Sequence, residues 1–312
     1  MAEMYDEIVA VTENRPLTGG HFLVSFYAPR QAQATRPGQF AMVRLLGQSD
    51  VLLRRPMSIY DVAARDGIEP RMPRNASTMR GQSRIASHRS KRRRGFESPE
   101  IIRMLYKIVG RGTRLMAELK PGDSVGLAAP LGQGFFAEER ESLAEQADHV
   151  LLVAGGIGIA ALLMPARELA RAGIGQDLFF GARSRADLVG VSDFEPWVKA
   201  VTLATENGSR GHRGYITRPL ANYLERRRGR RFLLMVCGPW GMLRASAELA
   251  KKYGHLCLVS MENRMGCGLG VCLGCSIRVE GTGHEAYSRV CTEGPVFDAR
   301  RVVWDREEIP KI

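Results

Sequence analysis

Four cysteines near the C-terminus, Cys267, Cys272, Cys275 and Cys291, constrain this chain of 312 residues more than any other feature in it. The first three follow the spacing C-x4-C-x2-C, and fifteen residues separate the third from the fourth. Four thiols meet at one place only if the backbone curls tightly around it. Gly266, Gly268, Gly270 and Gly274 permit that curl and let N–H groups turn toward the sulfurs. This is the ligand spacing of a plant-type [2Fe-2S] cluster, which makes the segment a candidate one-electron relay. A structural zinc site or a set of buried free thiols are the alternatives. Zinc ligands, however, usually come as two close pairs, and here the fourth cysteine stands alone. Six cysteines in all are too few for a disulfide scaffold at this length, and Cys237 and Cys257 stand apart from the four.

The hydrophobic pattern changes along the chain. Through residues 1–140, short stretches alternate with period two: Glu7 to Val11, His21 to Tyr27, Phe40 to Leu46, Met57 to Val62, Ile101 to Val109 and Ser124 to Leu127. Turn signals such as Pro37-Gly38 and Pro121-Gly122-Asp123 divide them, which predicts a small antiparallel barrel. Over 148–257, apolar strand candidates (Val150 to Ala154, Asp177 to Phe180, Val198 to Ala204, Phe232 to Val236) alternate with helical stretches (Ile159 to Arg171, Pro219 to Arg226, Met242 to Lys252). That alternation predicts a parallel, Rossmann-like sheet covered by helices. Residues 258–312 are left as a third, small module around the cysteines. The fold class is a β-barrel plus α/β.

One segment fits none of these. Asp66-Gly67 signals a hairpin, yet the returning strand begins only at Ile101. The residues between, 68–100, are rich in Arg, Ser and Pro with little to bury, and they read as a disordered insert in the barrel. Nine basic residues and no acidic one lie between Pro70 and Phe96, so only +3 of the net charge of +12 belongs to the rest of the chain. The basic excess is one segment's property, and no nucleic-acid partner is expected. A non-enzymatic basic binding protein that uses this insert is the alternative from another class. The longest apolar run, Val150 to Met164, is broken by glycines and shorter than the roughly 20 residues of a membrane span. With no signal-peptide pattern at the start, a cytoplasmic protein without a membrane partner is expected.

Three further motifs gain meaning from company. Val150 to Gly158 is an apolar strand that delivers Gly155, Gly156 and Gly158 into a helix, a geometry that seats a pyrophosphate against a helix N-terminus, although alone it is not specific. Cys237-Gly238-Pro239 follows another buried strand, at the sheet edge where ligands collect. On a barrel strand, Arg55-Pro56-Met57-Ser58 offers a guanidinium fork for phosphate and a hydroxyl for a ring edge, with Tyr106-Lys107 and Gly112-Thr113 as companions.

Taken together these elements resemble the ferredoxin-reductase superfamily, and within it the electron-transfer subunits of NAD-dependent (type B) dihydroorotate dehydrogenase. The resemblance rests on Pro37-Gly-Gln-Phe40, Leu53-Arg-Arg-Pro-Met-Ser-Ile59, Leu105-Tyr-Lys-Ile-Val-Gly-Arg-Gly-Thr113, Pro130-Leu-Gly-Gln-Gly-Phe135, Ala154-Gly-Gly-Ile-Gly158, Cys237-Gly-Pro239, Met261-Glu-Asn-Arg-Met-Gly-Cys-Gly268 and Cys291-Thr-Glu-Gly-Pro-Val-Phe297. They span nearly the whole chain apart from the insert.

The resemblance implies an antiparallel FAD-binding barrel, a Rossmann-like parallel-sheet NAD domain and a small C-terminal [2Fe-2S] module. It implies that Arg55, Pro56, Met57, Ser58, Leu105, Tyr106, Lys107, Gly112 and Thr113 contact FAD. Gly155, Gly156, Gly158, Cys237, Gly238 and Pro239 would face NAD, and the four cysteines would ligate the cluster. Arg183-Ser184-Arg185 ends a strand where an acidic residue is usual for NAD, so NADP stays open. Nicotinamides exchange two electrons and clusters one, and flavin, which handles both, belongs between them. The partner implied is an FMN-containing catalytic subunit that oxidises dihydroorotate for pyrimidine (UMP) biosynthesis, in a heterotetramer of two plus two. This chain then needs no catalytic acid or base of its own, in line with its six scattered histidines. The alternatives are the NAD(P)H-dependent reductase component of an oxygenase and a subunit of a hydrogenase or sulfide dehydrogenase.

Overall fold

A computed structural model describes residues 3–47, 53–64, 98–137 and 141–304. Apart from residues 98–100, the expected insert lies outside the described residues.

Seven strands make the first sheet: β1 (Tyr5–Pro16), β2 (His21–Tyr27), β3 (Phe40–Leu45), β4 (Arg55–Ser58), β5 (Asp61–Ala63), β6 (Ile101–Lys107) and β7 (Ser124–Leu131). All its pairings are antiparallel, in the order β4-β3-β7-β1-β2-β6-β5. The two edge strands, β4 and β5, are consecutive in sequence and joined by Ile59 and Tyr60 alone. So short a link reaches from one edge to the other only if the sheet curls, and the barrel follows. The stretch Met57 to Val62, expected as one strand, is therefore two, because the chain turns this corner within it. Val9, Val11, Val24, Phe26, Met104 and Leu127 fill the interior, as period-two alternation requires. α1 (Pro29–Ala34) and α2 (Arg111–Ala117) lie beside this sheet. β5 pairs with β6, Ala63 opposite Ile101, while the Asp66-Gly67 turn expected between them lies outside the described residues.

After α3 (Glu141–Gln146) the second sheet begins with β8 (His149–Gly155), β9 (Gln176–Ala182), β10 (Val201–Thr205) and β11 (His212–Arg213). It continues with β12 (Phe232–Cys237) and β13 (Leu256–Ser260). These six are parallel, in the order β11-β10-β9-β8-β12-β13. β8 and β12 are buried along their whole length, which is why they read as unbroken apolar runs. Between the strands lie α4 (Leu163–Arg171), α5 (Val191–Phe194), α6 (Thr217–Arg226) and α7 (Trp240–Tyr253). α7 ends on Gly254 in the left-handed conformation with Lys251 and Lys252 in its last turn, an ordinary helix stop.

Two sequence expectations shift here. The helix expected from Ile159 to Arg171 is a 3-10 segment, Gly156–Ala161, followed by α4. Pro165 has no N–H to bond the preceding turn, so the α-helix can start only just before it. The division at 257/258 falls inside β13, which belongs to the parallel sheet. Beyond the cysteines, β14 (Ser276–Arg278) pairs with β15 (Tyr287–Arg289), and β16 (Val296–Asp298) joins β13 as an antiparallel seventh strand.

The two sheets share buried side chains. Tyr60 and Leu105 of the barrel pack with Leu152, Phe180 and Ile159, while Phe40, Met42 and Leu131 pack into the cluster that holds Cys275 and Cys291. The Asp61 carboxylate, 3% exposed, lies 2.5 Å from Arg167 Nη1 of α4 and 3.5 Å from Arg103 Nη1. Lys107 of β6 meets Asp187 at 2.5 Å.

Candidate functional site

The cysteine loop leaves β13 at Ser260 and is pinned at once by the Met261 N–H on the Pro295 carbonyl, 2.8 Å away. Gly268 and Gly270 take positive φ values of 74° and 79°. A side chain on Gly268 would strike Met42 of the barrel, and one on Gly270 would strike Thr292. Leu273, between Cys272 and Gly274, is left-handed without being glycine (φ 58°), a strained turn that holds the loop's tight curl. Leu269, Val271 and Leu273 point outward and are exposed, as is Cys272. Cys275 and Cys291 are buried with their sulfurs 3.2 Å apart. Burial works to raise the Cys267 thiol, but N–H groups of Cys272, Leu269 and Val271 outweigh it and bring the thiol down to about 6. Burial, with the neighbouring Cys275 thiol, pushes Cys291 up to about 12.

A second set of residues gathers at the C-terminal edge of the parallel sheet. β8 and β12 are neighbours, with Ala154 opposite Cys237, and the glycine turn after each packs against the other. A Cβ on Gly158 would lie 2.4 Å from the Cys237 carbonyl oxygen, and one on Gly238 would lie 2.9 Å from Gly155 Cα. Gly156 stands clear with φ 52°. The Cys237 thiol itself is buried beside Ser260, and burial raises its pKa well beyond the usual range, with Glu262 adding to the shift. What reaches the turn is its carbonyl.

On the barrel, the Arg55 guanidinium lies over Gly112, where a Cβ would come 2.2 Å from its Nε. Arg55 of β4 and the start of α2 are thereby brought together, with Met57 and Ser58 half-buried on the same strand. Thr113 is buried, and its hydroxyl accepts from the N–H groups of Val109 and Gly110 (2.9 and 3.1 Å) and donates to the Gly110 carbonyl. The β6 side chains have other commitments. Leu105 is in the shared core, the Tyr106 ring stacks on Phe22 with its hydroxyl toward Asn14, and Lys107 holds Asp187.

The comparisons with known proteins fall on these places. Residues 262–303 match the family model described as the iron-sulfur cluster binding domain of dihydroorotate dehydrogenase B, and residues 152–248 match the oxidoreductase NAD-binding domain. The electron transfer subunit of dihydroorotate dehydrogenase B (NAD(+)) from Desulforamulus reducens is 30% identical over 306 residues, 98% of this chain and 100% of the relative. The chain belongs to the family of dihydroorotate dehydrogenase B electron-transfer subunits. The Geobacillus kaustophilus subunit of the same description is 34% identical over 86% of this chain and 87% of its own length. Among solved structures, NADH-dependent reduced ferredoxin-NADP oxidoreductase superposes with a TM-score of 0.72 at 24% identity, over 96% of this chain and 91% of that one. The ferredoxin reductase of carbazole 1,9a-dioxygenase reaches 0.56 at 19% identity, over 81% and 67%. These likenesses show the ferredoxin-reductase fold.

For a dihydroorotate dehydrogenase B electron-transfer subunit, the donor set suits a two-iron cluster. The thiols come as pairs, Cys275 with Cys291 at 3.2 Å and Cys267 with Cys272. A [2Fe-2S] cluster would take two thiolates at each iron, and the Leu269 N–H faces the Cys267 sulfur at 3.3 Å. Two groups in this region were not singled out from sequence. Glu262 opens to solvent yet is walled by protein on most sides, and the loss of water raises its carboxyl. Its position inside Met261-Glu-Asn-Arg was the available signal. Arg289 and Glu293 bracket Cys291 and bond to each other, Nη2 to Oε1 at 2.5 Å and Nε to Oε2 at 3.1 Å. Nothing in the residue pattern marks them beyond that spacing.

Proposed function

We propose that this chain is the subunit that connects a dihydroorotate-oxidising, FMN-containing partner to NAD, with a [2Fe-2S] cluster and FAD of its own, in pyrimidine biosynthesis. The observation that carries the reading is the near full-length match to electron transfer subunits of dihydroorotate dehydrogenase B. The two thiol pairs support it from the chain's own geometry. In this reading residues 1–140 serve FAD, 148–257 serve NAD, and 258–312 serve the cluster, with β13 shared between the last two.

Cys267, Cys272, Cys275 and Cys291 would hold the cluster, pair by pair. Arg55, lying over Gly112, would meet FAD phosphate, and Gly112 with Thr113 would offer backbone at the start of α2. Met57, Ser58 and Pro56 would line the flavin ring. Because the side chains of Leu105, Tyr106 and Lys107 are committed elsewhere, their contribution would come from the backbone of β6. Gly155, Gly156 and Gly158, locked against Cys237, Gly238 and Pro239, would seat NAD. FAD, when bound, supplies the exchange between single electrons and a hydride. The cysteine loop would face the partner: Cys272 is exposed, framed by exposed Leu269, Val271 and Leu273, and an apolar rim around a relay suits a subunit interface. A cytoplasmic heterotetramer of two plus two completes the proposal.

The purified chain is expected to contain iron and acid-labile sulfide in equal amounts, about two of each, and Cys272→Ala is expected to lose both. Zinc in their place would overturn the cluster. With the partner subunit added, dihydroorotate is expected to drive NAD reduction. NADH-driven reduction of a ferredoxin-like acceptor, with no dihydroorotate activity in the complex, would instead favour an oxygenase reductase. A second reading concerns the nucleotide only. Arg183 and Arg185 are exposed just beyond β9, which favours a 2′-phosphate, so kcat/KM for NADP should be compared with that for NAD in the wild type and in Arg185→Ala.

A further inference from the structure

Gly270 stands midway along the loop between Cys267 and Cys272, close to both Thr292 and Arg289. Arg289 Nη1 donates to its carbonyl at 3.0 Å. That carbonyl shares a peptide unit with the Val271 N–H, one of the donors acting on the Cys267 sulfur. A cation on the oxygen side of an amide draws electron density toward itself and makes the N–H on the far side a stronger donor, the cooperative strengthening of linked hydrogen bonds. Guanidinium, peptide and sulfur therefore form one line. The Gly270 N–H works to lower the Cys291 thiol as the Val271 N–H does the Cys267 thiol, so the two peptides flanking the Gly270 Cα bear on both thiol pairs. Arg289 also feels the charge of Cys291 and Cys275 directly.

Arg289 is itself held. Glu293 takes its Nη2 and Nε at 2.5 and 3.1 Å, accepts its backbone N–H at 2.7 Å, and receives the Thr292 hydroxyl at 3.0 Å. A fork this fully bonded keeps the guanidinium aimed at one peptide rather than sweeping through solvent.

We propose that Arg289 is a positioning residue that sets the reduction potential of the cluster, through its charge and the Gly270–Val271 peptide it polarises, and that Glu293 limits this by offsetting the charge. The proposal rests on the reading that the four cysteines carry a [2Fe-2S] cluster. Reduction adds one electron there, so a nearby cation and stronger N–H donors favour the reduced state and a nearby anion opposes it. Removing each partner must then move the potential in opposite directions.

The test is an EPR-monitored redox titration of the purified, cofactor-loaded chain, with iron and sulfide measured on each sample. Arg289→Gln is expected to lower the potential and Glu293→Gln to raise it. Arg289→Lys, which keeps the charge, should stay nearer the wild type than Arg289→Gln. Shifts in the same direction for Arg289→Gln and Glu293→Gln, or no shift in either, would overturn the proposal and leave the cluster reading intact. Absence of iron and sulfide from the wild type would overturn both. Should Arg289→Gln not retain its cluster, Glu293→Gln decides alone, and an unchanged or lower potential there counts against the proposal.

Discussion

Gly158 has no room for a side chain, because the methyl of alanine would press on the Cys237 carbonyl. Gly158→Ala is expected to force the β8 and β12 turns apart at a cost of about 1–3 kcal/mol, weakening NADH binding while flavin content stays constant. Titration of NADH against the flavin-loaded chain checks this, and unchanged affinity would remove the turns from the NAD site. At Gly112 the neighbour is the flexible Arg55 side chain, so Gly112→Val should displace the guanidinium without unfolding the barrel. Flavin absorbance per chain is expected to fall. At this scale the sequence located the glycines but not their reasons. Gly158 is glycine because a turn far along the chain lies against it. Cys237 read as a residue facing NAD, whereas its sulfur is buried and its carbonyl lies against Gly158. The C-x4-C-x2-C spacing is local and shows in the sequence, whereas the contact of Arg289 with the Gly270 carbonyl needed the loop to be folded first.

Helices and strands were legible wherever burial is continuous or regularly periodic. β8, β12 and α7 lie close to their expected places. The 3-10 segment at Gly156–Ala161 was not, since apolar content hides the conformational break that Pro165 imposes. Nor was β16, whose three residues are too few to show a period. Elements also carry the acid sensitivity. Burial lowers the pKa of His21, at the start of β2, below its ordinary value. Its contribution to stability is then complete above about 6.5 and is lost as pH falls, since the unfolded chain takes up the proton more readily. Denaturation between pH 7 and pH 5 should show stability falling, and His21→Gln should flatten that slope. Across β9 and α6, Tyr223 donates to Asp177 Oδ2 at 2.7 Å, and His149 Nε2 lies 3.2 Å from the same oxygen. Tyr223→Phe is expected to cost about 1–2 kcal/mol, measured by urea denaturation.

The whole molecule depends on the seam between barrel and parallel sheet. Asp61 meets Arg103 and Arg167 there, one from each side, in near-complete burial. Asp61→Asn withdraws a buried carboxylate from both guanidinium groups and is expected to destabilise by about 3–5 kcal/mol. Calorimetry should then resolve separate transitions where the wild type gives one, and a single unshifted transition would show that apolar packing alone holds the seam. The fold class was legible at this scale because the change of period along the chain is strong. The seam was not, because its partners come from distant segments that local pattern never relates.

Ser260 and Val296 face each other on neighbouring strands, so the cysteine segment departs from and returns to the same rung of one ladder. It is a detour rather than a terminal appendage. Cut at that rung and joined by a short turn, the chain would lose no strand of either seven-stranded sheet. A module attached in this way is portable: lineages could acquire or discard an electron outlet in a single insertion or deletion, with the nucleotide-handling machinery left as it was.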